Sequence, residues 1–476
     1  MKFALVGVGG AGGRVVNALR NVEQNSDRAF TNDQLLVFDT DQAAFEEFTQ
    51  VPADRHVLIG DTHPDIRGEG LDGDVELGAA VAEEDTDEIY REFDKLATHE
   101  VHATVVVAGL GGGTGGGVGP VILEGLKSIA DGPVYVLGIL PAESESDRRA
   151  YNAARALRSY VDLADNVILF DNEEWYDAES DAALEDQYND LNIELVTRII
   201  AVLAVGELED APIAETMLDA SDTMKTLNSG GVSSLGYATV DLDRPSGLLA
   251  RLLALFRSSE PGQEITDAAK IKELIQATVR SKLTLPCDVS STERAMLSLS
   301  GPPEVCSRKG FETGRYWLED ETDTVQIWAG DEPHDASMIA ASVLLSNVTE
   351  VPRIDEIQDR AVAYKREQEG REAEDSTNPA DSTEARETTE AEDPADEADE
   401  GASQRPAGEA APTETSESDG EEAAPTETDG TDEADDAATE VPDDGSTDPS
   451  SAANEGSDDG SSEGAVGTEE RIPDTD

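Results

Sequence analysis

The chain has 476 residues, with 34 Lys and Arg against 105 Asp and Glu, a formal net charge of −71, and 4% aromatic residues. A polyanion of this kind is repelled by the phosphate backbone of nucleic acid and by an anionic membrane surface, so neither is expected as a direct partner. Its two cysteines, Cys287 and Cys306, have no CxxC spacing and no clustered histidine around them, which argues against a disulfide framework or a metal centre.

The first predicted element is a strand at "KFALVGV", followed by a helix that opens on "GGAGGRVV". Gly7, Gly9 and Gly12 fit the GxGxxG fingerprint of dinucleotide-binding folds. The next strand, "QLLVFD", ends in Asp39, placed where such folds put a ribose-binding carboxylate. An NAD-dependent oxidoreductase is therefore one reading. After a short strand at "HVLIG", the strand "ATVVVAG" runs into "LGGGTGGG", with six glycines between Gly111 and Gly117, and then into the helical spacing of "VGPVILEGLKSIA". So much bare backbone between a strand and a helix N-terminus is an anion site. It is not a P-loop, because Val118, Gly119 and Pro120 stand where Gly-Lys-Ser/Thr would be. A dinucleotide fold grips its pyrophosphate with one such loop. Two glycine loops about a hundred residues apart, each after a strand, can grip one triphosphate.

Strands at "PVYVLGIL" and "NVILFD" continue the alternation, so residues 1–205 read as α/β, a Rossmann-like parallel sheet with helices on both faces. "IELVTRIIAVLAV" (193–205) is apolar nearly all round and reads as a buried central helix. Residues 206–355 form a smaller α+β domain, with a helix at "DAAKIKELIQATVRSKL" and strands at "AMLSLSG", "TVQIWAG" and "MIAASVLLSN". "GLLARLLALF" (247–256) is too short to span a bilayer and is either packed on its own domain or a surface contact. Residues 356–370 read as a charged helical linker. From Arg371 to Asp476 there are 37 acids and four arginines, a net charge of −33 (4 − 37), and no Phe, Trp, Tyr, Leu or Met. This segment cannot bury a core and is expected to be a disordered acidic tail that could recruit a basic protein partner. No signal-peptide layout and no membrane-spanning run is visible, so a cytoplasmic location is expected. The acidity of the folded part points to a salt-loving host.

Several motifs together resemble the tubulin/FtsZ family. "GGGTGGG" is similar to its signature loop, and "GVGGAGGRVVN" to its first glycine loop. "GEGLDGDVELG" is similar to its γ-phosphate-sensing loop, keeping Gly68, Gly70, Glu76 and Gly78. The resemblance covers residues 1–355, and "VLIG", "VLGILPA", "LFDNEEW" and "LNSGGVSSLGYA" look most like the archaeal CetZ group, whose members occur in salt-loving archaea and are associated with cell shape. It implies a GTPase with a long central helix that polymerises head to tail with itself and takes GTP or GDP, with Mg²⁺ favoured by Asp72, Asp74 and Glu76. The nucleotide would be held by Gly9, Gly10, Ala11, Gly12, Gly13 and Arg14, and by Gly111, Gly112, Gly113, Thr114 and Gly115. Glu145 would bind the ribose with Arg149 nearby, Asn172 would read the guanine edge, Tyr188 would stack on the base, and Asn192 would hydrogen-bond it.

Each of the last assignments has a plain structural alternative. Glu145 and Arg149 also suit an i,i+4 surface pair, Asn172 a helix cap, and Tyr188 an ordinary core aromatic. The resemblance also implies that the carboxylates for hydrolysis come from the next subunit, on the loop after the central helix. Asp219 and Asp222 in "MLDASDTMKTL" stand there, and an N-cap is their alternative role. Met217 replaces an asparagine of the bacterial pattern, which leaves room for a non-catalytic GTP-binding filament or regulatory paralogue.

Overall fold

The computed structural model describes residues 1–180, 182–208, 216–242 and 267–377; the apolar stretch 247–256 and the acidic tail from 378 onward lie outside them. Seven strands lead the chain: β1 (Phe3–Val8), β2 (Leu35–Asp39), β3 (His56–Leu58), β4 (Ala103–Gly109), β5 (Val134–Leu140), β6 (Asn166–Asp171) and β7 (Val232–Asp241). The last three are β8 (Arg294–Gly301), β9 (Ile327–Pro333) and β10 (Met338–Ser346). They form one ten-stranded sheet in the order β3-β2-β1-β4-β5-β6-β7-β10-β8-β9. From β3 to β7 every pairing is parallel, and β10 runs antiparallel to both β7 and β8.

Strands covered on both faces read as near-continuous apolar runs, and these do. Val6, Val106 and Ala108 belong to one core layer, with Val81, Ile122, Leu126 and Leu157. Leu5, Val105 and Val107 belong to the other, with Val16, Leu19, Leu195 and Ile199. Helix α1 (Gly9–Gln24) leaves β1 directly, α2 (Val75–Glu84) and α3 (Thr86–Phe93) precede β4, α4 (Gly119–Ile129) follows β4, and α5 (Asp147–Leu163) follows β5. The short α6 (Asn172–Trp175) follows β6 and precedes the central helix α7 (Leu184–Leu203).

The central helix begins nine residues before the apolar stretch visible in the sequence. Its first turns, "LEDQYNDLN", are polar because one side of them lines a cavity, so the apolar pattern appears only beyond them. After it come α8 (Ala220–Leu227), α9 (Asp267–Arg280), α10 (Arg308–Thr322) and α11 (Pro352–Thr377). Helix α10 escapes a periodicity reading because two of its buried positions are glycines, Gly310 and Gly314. A Cβ on Gly310 would stand 2.6 Å from the carbonyl oxygen of Ala268, so the small residues let α10 lie close on α9. Strand β7 pairs with β6 over Val232 and Ser233 and then with β10, so a single strand joins the parallel sheet to the mixed one.

Candidate functional site

In a doubly wound sheet the ligand crevice opens where the strand order reverses. Here that point lies between β1 and β4, which pair in parallel from Phe3–Ala103 to Val8–Ala108. The two glycine loops follow these two strands, so they are neighbours in space. Helix α1 starts at Gly9 with no side-chain cap, and the π-type turn Thr114–Val118 that leads into α4 also has none. By contrast α2, α5, α6 and α8 are capped by Asp74, Ser146, Asp171 and Asp219. Helices α3 and α7 also start without a side-chain cap; what suits a polyanion here is that two bare helix starts lie side by side at the switch point.

Between them lies a cavity of about 390 Å³ lined by Gly9, Gly10, Ala11, Arg14, Gly111, Gly112, Gly113, Thr114 and Gly115. Glu145, Arg149, Asn172, Tyr188 and Asn192 line it as well, together with Glu185, which the sequence did not single out. Gly12 and Gly13 do not reach it. A Cβ on Gly12 would overlap the carbonyl oxygen of Val107, and one on Gly13 the ring of Phe48. Gly12 lets α1 pack on the sheet, and Gly13 leaves room for the ring of Phe48, which lies between β2 and β3 in the chain.

The signature loop divides in the same way. A Cβ on Gly113 would come within 2.8 Å of the Leu71 side chain, and one on Gly115 would overlap the Gly109 carbonyl. At Gly112 the nearest atom is the Gly109 carbonyl oxygen at 3.8 Å, so this position is bare toward open space. Neighbouring side chains hold the loop: Tyr160 Oη donates to Gly115 O at 2.6 Å, and Thr114 Oγ1 lies 2.8 Å from Thr40 Oγ1.

On the far side of the cavity, Glu145 accepts from the Ala142 N–H at 2.8 Å and pairs with Arg149, so the surface pair and the cavity lining are one feature. The helix cap at the end of β6 is Asp171, while Asn172 is the buried first residue of α6 and lines the cavity. The Tyr188 ring has the Arg14 guanidinium 5.9 Å from its centre, and Arg14 is itself held by Glu47 at 2.7 Å. Burial pushes the Tyr188 phenol above its ordinary value.

Other expectations change. Asp39 is 3% exposed and does not line the cavity; its Oδ1 accepts from Thr40 N at 2.8 Å and Asp41 N at 3.2 Å. Burial raises its carboxyl to about 6. Asp74 accepts from the Leu77 N–H at 2.9 Å with one carboxylate oxygen, Glu76 pairs with Arg155, and none of Asp72, Asp74 and Glu76 lines the cavity. Asp219 and Asp222 are also outside the cavity. They form a capping box at the start of α8: Asp219 Oδ1 accepts from Asp222 N at 3.1 Å, and Asp222 Oδ2 from Asp219 N at 3.3 Å. Lys225 Nζ lies 3.1 Å from Asp222 Oδ1. Met217, two residues before Asp219, is 59% exposed.

A parallel sheet with a glycine loop on each side of its switch point, and polar side chains closing the far end of the crevice, defines a nucleotide-binding α/β protein. Family models narrow the class: the GTPase domain of the tubulin/FtsZ family matches residues 2–180, and the C-terminal domain of tubulin-like CetZ matches residues 181–363. Tubulin-like protein CetZ3 of Haloferax volcanii is 43% identical over 369 residues, which is 77% of this chain and 93% of that protein. CetZ1 of the same organism is 38% identical, over 76% of this chain and 92% of the relative. Among solved structures, the GDP-bound CetZ1 monomer matches with a TM-score of 0.66 at 35% identity, covering 77% of this chain and all of that one. The CetZ2 protofilament with GTPγS, also from Haloferax volcanii, matches at 0.64 and 32%, covering 78% and 100%. The chain belongs to the tubulin/FtsZ family, in its CetZ group, and carries that family's GTPase domain. The oxidoreductase alternative is thereby replaced.

Proposed function

We propose that this chain binds GTP in the cavity between its two glycine loops, polymerises head to tail, and hydrolyses GTP at the junctions between subunits, in the service of cell shape. The observation that carries this reading is a separation. Bare glycine-loop backbone and the side chains of Glu145, Asn172, Tyr188 and Asn192 line the cavity, while the acids suited to orienting an attacking water, Asp219 and Asp222, stand on another element. Phosphoryl transfer needs charge stabilisation at the γ-phosphate, which the N–H groups of the two glycine loops supply, and an oriented water, which a second copy that presents Asp219 and Asp222 to the cavity supplies. The GTPγS-bound protofilament of a relative supports self-association.

Within this scheme the α1 and signature-loop N–H groups take the phosphates, Glu145 the ribose, Asn172 and Asn192 the guanine edge, and Tyr188 the face of the base. Mg²⁺ would accompany the triphosphate and would offset phosphate charge; among the described residues no group of three or more His, Cys, Asp or Glu side chains could hold a metal ion. No helix among the described residues is long and apolar enough to cross a membrane.

The test is phosphate release from GTP and Mg²⁺ in high KCl across a series of protein concentrations. Release per molecule that rises steeply with concentration fits hydrolysis at junctions. A flat, low profile favours the second reading, a filament that binds GTP without useful turnover. That reading is supported by the engagement of both Asp219 and Asp222 in the capping box and by the exposed Met217 beside them.

A further inference from the structure

Helix α11 precedes the acidic tail and belongs to no part of the cavity lining, yet it reaches the loops that frame the base and ribose end. Arg353, in its first turn, is 5% exposed. Its Nε donates to Asp171 at 3.2 Å and its Nη2 to the carbonyl oxygen of Pro141 at 2.9 Å. Its Nη1 donates to Glu143 at 3.3 Å and to Glu356 at 3.2 Å. One guanidinium thus ties the end of β5 to the end of β6. Pro141 lines the cavity, and Asp171 caps the helix on which Asn172 is first.

Further along α11, Arg360 donates to the carbonyl oxygen of Glu145 at 3.1 Å and to Asp147 at 2.7 Å. The Tyr364 ring packs against Tyr151 of α5 with centroids 5.5 Å apart. Arginine suits this place because its planar fork serves several acceptors at once and keeps its charge when buried. A buried carboxylate that loses such a partner is left with an uncompensated charge or takes up a proton, and Asp171 sits 2% exposed with Arg353 as its cationic partner.

We propose that Arg353 and Arg360 are positioning residues for nucleotide selectivity, and that α11 is a strap whose docking is coupled to occupancy of the nucleotide site. Arg353 fixes the Asp171–Asn172 corner and Pro141, and Arg360 fixes the backbone of Glu145. The strap therefore sets where the groups that read guanine and ribose stand. Coupling of this kind is reciprocal: nucleotide that holds the two loops in place also holds α11 down, and a partner that pulls on the tail and lifts α11 weakens nucleotide binding. This inference rests on the proposed GTP site.

The experiment measures GDP affinity and the GTP-to-ATP affinity ratio of the full-length protein in high KCl by titration. Its variants are Arg353→Met, Arg353→Lys, the double variant Arg353→Met with Asp171→Asn, and Arg360→Gln. We expect Arg353→Met and the double variant to lose at least about tenfold in selectivity, equivalent to about 1.4 kcal/mol. Lysine should rescue part of that loss. The double variant removes the orphaned buried charge, so it separates selectivity from folding. Arg360→Gln, at a partly exposed position, should weaken GDP binding about threefold, and it decides the matter if the Arg353 variants do not fold. Hydrogen exchange across 352–364 should slow when GDP is added. Folded variants with parental affinity and parental selectivity would overturn the proposal. A parent chain that binds no guanine nucleotide would instead overturn the functional reading beneath it.

Discussion

The side-chain amide of Asn152 donates to the carbonyl oxygen of Gly111 at 3.1 Å, and the same nitrogen reaches the carbonyl oxygen of Gly73 at 3.0 Å. Asn152 is 3% exposed on α5, so one buried amide links the signature loop to the 68–78 loop. Asn152→Ala leaves the buried Gly111 carbonyl and the partly buried Gly73 carbonyl without this donor, at about 1–3 kcal/mol. It should lower the melting temperature and weaken GTP binding together, as read by thermal unfolding with and without nucleotide. An unchanged nucleotide affinity would show that the link is structural only.

Gly12 and Gly112 should separate folding from binding. Gly12→Ala drives a methyl group into the Val107 carbonyl beneath α1, and its expected result is a destabilised or insoluble protein. Gly112→Val meets no protein atom closer than 3.8 Å at its Cβ and fills the space where phosphate meets backbone. It should melt near the parental temperature and bind no GTP. Normal GTP affinity in this variant would refute the assignment of the loop.

Asp222→Ala is expected to bind GTP about as well as the parent, because Asp222 is outside the cavity. Loss of half the capping box costs about 1 kcal/mol of stability. If the acid acts on the nucleotide of the adjoining subunit, phosphate release should fall severely and polymers should persist longer in light scattering. A fall in nucleotide affinity with turnover intact is the contrary outcome.

Asp39 makes the stability of the protein depend on pH in an unusual direction. Burial raises its carboxyl to about 6 in the folded protein, above the ordinary value it has when unfolded. Between the two values the folded state holds a proton that the unfolded state has lost, so this group's contribution is fully present below the unfolded value and is lost as pH rises through about 6. Asp39→Asn removes the penalty of a buried charge. In denaturant titrations without nucleotide it should gain up to about 3 kcal/mol over the parent at pH 7–8, a gain that vanishes near pH 4. A difference independent of pH would contradict the assignment.

The acidic tail should act on neighbouring filaments rather than on the nucleotide. Residues 371–476 carry a net charge of −33 (4 − 37), and such tails repel over a Debye length of about 8–10 Å at moderate salt and about 3 Å at 1 M. Bundling should increase with KCl. Truncation after Glu369, which leaves Arg353, Arg360 and Tyr364 in place, should remove much of that dependence with GTP affinity unchanged. Identical bundling of the two proteins at every salt concentration would end the idea.

Local pattern carried much of the fold and most of the cavity in the amino-acid sequence. The apolar runs of β1, β2, β4, β5 and β6 mark strands buried on both faces, and glycine density marks the two turns where backbone must stay bare, because both signals depend on neighbours in the chain. The polar residues that ring the cavity were legible through spacing and family resemblance. What the tertiary structure alone decided is which glycine does what and which distant groups meet. Gly12 and Gly112 look alike in sequence, but one faces the Val107 carbonyl and the other open space. Helix α10 hid behind Gly310 and Gly314, whose lack of a side chain is what the packing needs and what erases an apolar stripe. Asn152 and Arg353 gave no local signal at all, since a buried amide and a buried guanidinium are recognised by the carbonyls and carboxylates around them. Apart from Glu356, three residues beyond Arg353, those acceptors come from segments 41 to 212 residues away, which only folding brings within hydrogen-bonding distance.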